Sequence, residues 1–219
     1  MSINMLLDFI LHIDKHLQAF TAAYDSWVYL LLFAIIFVET GLVIMPFLPG
    51  DSLLFAAGSL AALGSLDLGW LVGLLIVAAI AGDSVNYSLG HQVGTRAFDG
   101  RYRWLNPSHL ARTEAFFAKH GGKAIVLARY VPIVRTFAPF VAGIGTMQYG
   151  RFLAYNVIGA ISWVTIFLLL GYFFGGLQIV QDNFHLVIPA IVLISIIPIL
   201  YEAVQARLRP AIPEDSHHA

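Results

Sequence analysis

Apolar residues run along this chain in blocks longer than a soluble core element needs, and the polar residues that interrupt them mark where each block bends or ends. Residues 4–20 set Met5, Leu6, Phe9, Ile10, Ile13, Leu17 and Phe20 near a helical period, with Asp8, His12, Lys15 and His16 on other faces. That pattern predicts a short interfacial helix within residues 1–24 rather than a span. Residues 27–48 are apolar except for Glu39 and Thr40; MPFLPGD then inserts two prolines, a glycine and Asp51 before residues 52–63 resume. A spanning helix needs about 20 apolar residues, and the second stretch is too short and flanked by helix breakers. The pair predicts a re-entrant hairpin near residues 27–64, with Pro46, Pro49, Gly50 and Asp51 at a tip shielded by protein.

Residues 68–89 read as a full span with Asp83 and Asn86 toward one end. Residues 91–123 then carry Arg96, Arg101, Arg103, Arg112, Lys119 and Lys123 against Asp99 and Glu114, which places this loop in the cytoplasm by the positive-inside rule. The stretch 124–147 is broken by Arg129, Pro132, Arg135 and Pro139 and ends in GIG, so residues 124–149 predict a second hairpin, entering from the cytoplasmic side. Residues 152–174 form a clean span, and 184–201 form another within residues 179–204, ahead of a polar cytoplasmic tail at 205–219. The expected architecture is an all-α integral membrane protein with an N-terminal interfacial helix, a membrane domain over residues 25–178, two opposed re-entrant hairpins and about three full transmembrane helices. Opposed broken helices of this kind occur in secondary transporters. No residue-level repeat links the two hairpins, and hydropathy alone also fits a series of plain spans.

Composition agrees with the pattern. Of 219 residues, 59% are hydrophobic and 11% charged, against about 25% charged in an ordinary soluble domain. A water-soluble globule is excluded. Thirteen acidic and 12 basic residues leave a net charge of −1, too balanced for nucleic-acid binding by bulk electrostatics. The absence of cysteine removes disulfides, thiolate nucleophiles and cysteine metal sites. Residues 1–11 hold no Lys or Arg and carry Asp8 inside the apolar run, so a retained N-terminus is expected rather than a cleaved signal peptide.

Within such a chain the ionisable residues carry the functional signal. An acid or guanidinium at mid-bilayer costs about 2.5–3.5 kcal/mol even on a lenient insertion scale, so Glu39, Asp51, Arg129 and Arg135 are expected to face one polar cavity. A structural ion-pair cluster pinning the hairpins together is the plainer alternative. Guanidinium stays charged in apolar surroundings and offers a planar fork that matches phosphate oxygens, which points Arg129 and Arg135 toward an anion, phosphate above all. Six residues apart on a straight helix they would diverge by about 240°; Pro132 between them permits a break that turns both inward. Burial favours the protonated form of a carboxyl and a neighbouring arginine the ionised form, so Glu39 and Asp51 suit proton exchange between conformations. Asp83 and Asn86 fit either the lining of that cavity or a polar helix–helix seam with Ser84, Tyr87 and Ser88.

Other features stay with plainer readings. His12 and His16, a turn beyond Asp8, have metal-compatible spacing but lie on a solvated interfacial face, and no metal or cofactor is expected. Gly171 and Gly175 form a GxxxG that allows close packing inside the fold or in a homo-oligomer. His217 and His218 sit in the polar tail. No GxSxG, HExxH or GxxxxGK[ST] occurs, so hydrolase, zinc protease and nucleotide-driven pump readings lack support, and no enzyme is expected.

The segments FVETGLVIMPFLPGDSLLFAAG, AGDSVNYSLG, KHGGKAIVLARYVPIVRTFAPFVAG and YNVIGAISWV together resemble the DedA family of bacterial inner-membrane proteins across nearly the whole chain, particularly members of the YqjA and YghB type. The resemblance implies a polytopic protein with two opposed re-entrant hairpins, related to the eukaryotic lipid scramblases that share the domain. It implies recycling of undecaprenyl phosphate from the outer to the inner leaflet, a role assigned to family members, others being linked to proton-motive force, division and resistance to cationic peptides or alkali. The important acidic and arginine positions of the family match Glu39, Asp51, Arg129 and Arg135.

The leading expectation is therefore a proton-coupled transporter of a polyprenyl phosphate in the bacterial inner membrane. Arg129 and Arg135 would hold the phosphate, and Glu39 and Asp51 would exchange protons. One rival is a proton-coupled antiporter or uptake system for a small ion, with arginines that only balance charge. Another is a non-transporting membrane protein whose buried charges are structural.

Overall fold

The computed structural model describes residues 26–42, 50–93, 117, 120–145, 147–178 and 180. All regular structure among the described residues is helical: α1 Trp27–Gly41, α2 Gly50–Ala62, α3 Leu68–Val93, a 3₁₀ turn Gly121–Lys123, α4 Ala124–Ala128, α5 Pro132–Ile144 and α6 Tyr149–Phe174. The expected interfacial helix at 1–24, the helix at 179–204, the tail, and most of the basic loop lie outside the described residues.

Length sorts these helices into two kinds. α3 and α6 have 26 residues each, about 39 Å at 1.5 Å per residue, which exceeds a hydrocarbon core of about 30 Å. They are the two described helices long and apolar enough to cross a membrane. α1, α2 and α5, with 15, 13 and 13 residues, reach about 20–22 Å and fall short of that thickness.

The ends follow from local chemistry. Asp67 caps α3 by accepting the Trp70 N–H at 2.8 Å, satisfying a donor with no partner inside the helix. Gly64, at φ 76°, closes α2 in the left-handed conformation, and the next N–H, from Ser65, donates to the Leu60 carbonyl at 3.0 Å. At the expected break, Val131 is extended (φ −120°, ψ 101°), as the residue before a proline prefers, and Pro132 opens α5 at its first position, where a missing N–H costs nothing.

Glycines set the distances between helices. A Cβ at Gly58 would strike the Leu168 carbonyl and one at Gly171 the Phe55 carbonyl, while Gly175 lies against Ser59, so α2 and α6 touch backbone to backbone. The Gly171/Gly175 pair is thus used inside the fold. A second seam joins α3 and α5, where Gly90 meets the Phe140 carbonyl and Gly143 the Tyr87 carbonyl. Gly41 and Gly82 bring α1 onto α3. Leu32, Ile36, Leu54, Leu71, Leu75, Trp163 and Leu168 fill one core between these elements, and Tyr87, Val134, Ala138 and Phe152 fill another. Trp27, Trp70, Ile158 and Phe173 point outward and are exposed, an apolar exterior suited to lipid.

Candidate functional site

Each short element delivers its ionisable residue at an end or a break, whereas Asp83 sits inside the long helix α3. Glu39 and Thr40 close the last turn of α1, and Asp51 lies in the first turn of α2. Arg129 follows the C-terminus of α4, while Arg135 lies one turn inside α5. Between them Tyr130 and Val131 donate to Leu127 and Ala128 at 3.2 and 2.9 Å, tightening the chain into a turn before Pro132 redirects it. The break brings both guanidiniums to the same side of the molecule.

Those guanidiniums have different company. Arg135 donates from Nη2 to Glu39 Oε1 at 2.6 Å and from Nη1 to Asp51 Oδ1 at 2.7 Å, so one cation holds two carboxylates from separate helices. Arg129 uses Nη2 alone, donating to Asp83 Oδ2 of α3 and to Asn156 Oδ1 of α6, the latter at 2.5 Å. Its Nε and Nη1 have no hydrogen-bond partner among the described residues. Both side chains are sealed from water, at 3% exposure for Arg129 and 8% for Arg135.

Trp163 of α6 couples the two centres. Its Nε1–H donates to Asp51 Oδ1 at 2.8 Å, and the guanidinium carbons of Arg135 and Arg129 lie 5.3 and 5.8 Å from its ring, both within cation–π range. Glycines again provide the room. Gly50 abuts the Glu39 carboxylate, Gly82 abuts Thr40, and a Cβ at Gly159 would come within 2.9 Å of Arg129 Nε.

The expected residues thus divide by location. Glu39, Asp51 and Arg135 form one cluster, and Arg129 joins Asp83 in another. Among the described residues Asn86 hydrogen-bonds no charged group; it donates to the Thr40 and Thr136 carbonyls at 3.1 and 3.0 Å and ties α1 and α5 to α3. Sequence reasoning missed Asn156 and Trp163. Both had a signal: an amide about two turns inside an otherwise clean span, and a tryptophan far from the interfacial belt where membrane tryptophans gather. Asn156 also donates to the Ile80 carbonyl at 3.2 Å, which orients its oxygen toward Arg129.

Across the two clusters three carboxylates face two guanidiniums, so the fully ionised set carries one excess negative charge, on the Glu39–Asp51–Arg135 side, and a single proton neutralises it. An anion can reach either arginine only by adding to this set or replacing a carboxylate in it, and a displaced carboxylate is free to take a proton. No group of three or more metal-ligating side chains occurs among the described residues; His12 and His16 lie outside them. A cavity of about 460 Å³ opens elsewhere, beside Phe117, Gly122, Met147, Gln148 and Arg151, and shares no residue with the cluster.

Residues 48–173 match the VTT domain family, a stretch that covers α2 to α6 except for the last residue of α6 and includes Asp51, Asp83, Arg129, Arg135, Asn156 and Trp163. Protein DedA of Escherichia coli is 54% identical over 206 residues, covering 93% of this chain and 94% of that protein. An uncharacterized membrane protein of Mycobacterium tuberculosis is 39% identical over 184 residues, covering 82% of this chain and 81% of its own. Inner membrane protein YqjA of Escherichia coli is 39% identical over 151 residues, 67% of each chain. No solved structure matches the chain.

Proposed function

The chain belongs to the DedA family of VTT-domain membrane proteins, and from that premise we propose that it is a proton-coupled transporter returning undecaprenyl phosphate, or a closely similar polyprenyl phosphate, to the cytoplasmic leaflet. It resides in the bacterial inner membrane, as the name of its relative YqjA states for that protein. The observation that carries the reading is the meeting of Arg135 with Glu39 and Asp51 from two other helices at a buried point. A guanidinium fork matches phosphate oxygens, and carboxylates released from it by the phosphate become proton acceptors. Only the head group needs this shelter, since the polyprenyl tail stays in lipid. The partners are lipid phosphate and protons; the reaction makes and breaks no covalent bond.

In this reading α1–α2 and α4–α5 are the two re-entrant hairpins, opened from opposite sides of the membrane. Their helices fall short of the hydrocarbon thickness, and both hairpins present charge near helix ends, Glu39 and Asp51 in one and Arg129 and Arg135 in the other. Alternating access then means that one hairpin parts from the other around the phosphate.

The test is reconstitution in liposomes containing undecaprenyl phosphate, with head-group accessibility followed across the bilayer with and without an imposed proton gradient. Arg135→Lys serves as the control, because it keeps the charge and loses the planar fork. Movement driven by the gradient and lost in Arg135→Lys supports the reading. Movement indifferent to the gradient makes the protein a scramblase. A second reading, an antiporter or uptake system for a small ion, gains from the saturation of Arg135 by two acids, which is how a charge-balancing arginine would look. Folded protein that passes ions and leaves the lipid in place would establish it.

A further inference from the structure

The two arginines are unequally held, and the inequality assigns them different tasks. Arg135 spends one donor on each of two carboxylates, and Asp51 is anchored a second time by Trp163. Arg129 faces one carboxylate and one neutral amide, both on Nη2, which leaves its Nε and Nη1 nitrogens buried with no partner among the described residues. A buried donor without a partner is costly, so this is where an incoming acceptor gains most. Freeing Arg135 requires two carboxylates to leave; freeing Arg129 requires one.

We propose that the phosphate monoester docks at Arg129, in exchange for the Asp83 carboxylate, and that Asp83 is the residue that later returns to expel it. Arg135 keeps Glu39 and Asp51 during this first docking step and releases them to take the phosphate only afterwards, as the hairpins part. This rests on the proposed transport of a phosphate-bearing substrate and adds the order of engagement and a third carboxylate to it. Asn156 orients the Nη2 group without competing for charge, and Gly159 leaves the space in which the Arg129 stem lies. A neutral amide at position 156 is therefore part of the device, because an acid there would hold Arg129 as firmly as Arg135 is held.

The experiment measures binding to purified full-length protein in nanodiscs, with undecaprenyl phosphate in the bilayer as one probe and inorganic phosphate in the buffer as the other. Asp83→Asn removes the competitor and is expected to tighten binding by about tenfold or more and to slow release by a similar factor. Asn156→Asp supplies a second acid to Arg129 and is expected to weaken binding by about tenfold or more. Because Asp83→Asn leaves Arg129 without its counter-charge, folding is checked by thermal unfolding, and the swapped double variant Asp83→Asn with Asn156→Asp restores one acid if the single change is unstable. In that double variant, wild-type affinity supports the exchange, whereas loss of binding from folded protein overturns it.

Unchanged affinity in both single variants overturns the assignment of Asp83. Full binding by Arg129→Gln with Asp83→Asn, a pair that removes both charges together, overturns the assignment of Arg129. A wild-type protein that binds neither probe overturns the phosphate reading itself. Binding of the lipid that inorganic phosphate does not displace supports docking of a lipid head group, and binding of inorganic phosphate alone overturns the lipid as its source.

Discussion

The two halves that meet at the ion pairs are built alike and charged oppositely. α1 and α2 bring acids, Glu39 and Asp51, whereas the α4–α5 half brings guanidiniums, Arg135 facing those two acids and Arg129 turned to Asp83 of α3. Each half also leans on a long helix through a glycine seam, α2 on α6 at Gly58 and Gly171, α5 on α3 at Gly90 and Gly143. A half that carries one sign of charge cannot be buried cheaply alone. The glycines fix how near the halves come, and the charges fix which residues must face one another.

Breaking the charge match is expected to have the largest effect. Arg135→Ala leaves Glu39 and Asp51 buried without their cation and is expected to cost about 3–5 kcal/mol, read by unfolding of the purified protein in micelles. Adding Glu39→Gln and Asp51→Asn to it is expected to recover most of that loss, because no unmatched charge then remains. Failure to recover would mean that the hydrogen-bond geometry, and not the charge balance, joins the halves.

Next come the seams. Gly171→Ala and Gly143→Ala each push a methyl into a facing carbonyl and are expected to cost about 1–3 kcal/mol apiece. A large loss at one and none at the other would break the equivalence of the halves. Trp163→Phe keeps the ring beneath both guanidiniums and removes the donor to Asp51, for an expected cost of about 1–2 kcal/mol. Tyr130→Phe, which removes a 2.9 Å hydrogen bond to Ser162 of α6, is expected to cost about 1 kcal/mol or less. That last change tests whether the break before Pro132 is held from outside or by its own chemistry.

The helices were legible because lipid imposes one rule on all of them: long apolar runs become helices, and prolines and glycines end them. α3 and α6 were located to within a turn, although α3 runs beyond Leu89 to Val93 and α6 starts ahead of Phe152 at Tyr149. Glu39, Asp51, Arg129 and Arg135 stood out because each is expensive where it sits. Who pairs with whom was not legible. The Arg129–Asp83 pair joins the break after α4 to α3, and its existence depends on the room that Gly159 leaves for the Arg129 side chain and on the turn at Tyr130, both properties of packing. Asn156 and Trp163 escaped notice for a related reason. An amide and an indole cost far less in an apolar helix than a charge does, so burial alone does not single them out, and only their neighbours reveal their work.

Trp163 also gives the molecule an optical property. Its indole is fully buried, with a carboxylate at the ring nitrogen and two cations near the ring, while Trp27 and Trp70 are exposed at 65% and 74%. Indole emission shifts colour with the electric field across the ring, and few fields are stronger than that of charges at these distances. With Trp27, Trp70 and Trp104 replaced by phenylalanine, the remaining emitter becomes a voltmeter at the centre of the protein. Any event that moves a guanidinium away from the ring is then visible as a change of wavelength, without a label and in real time.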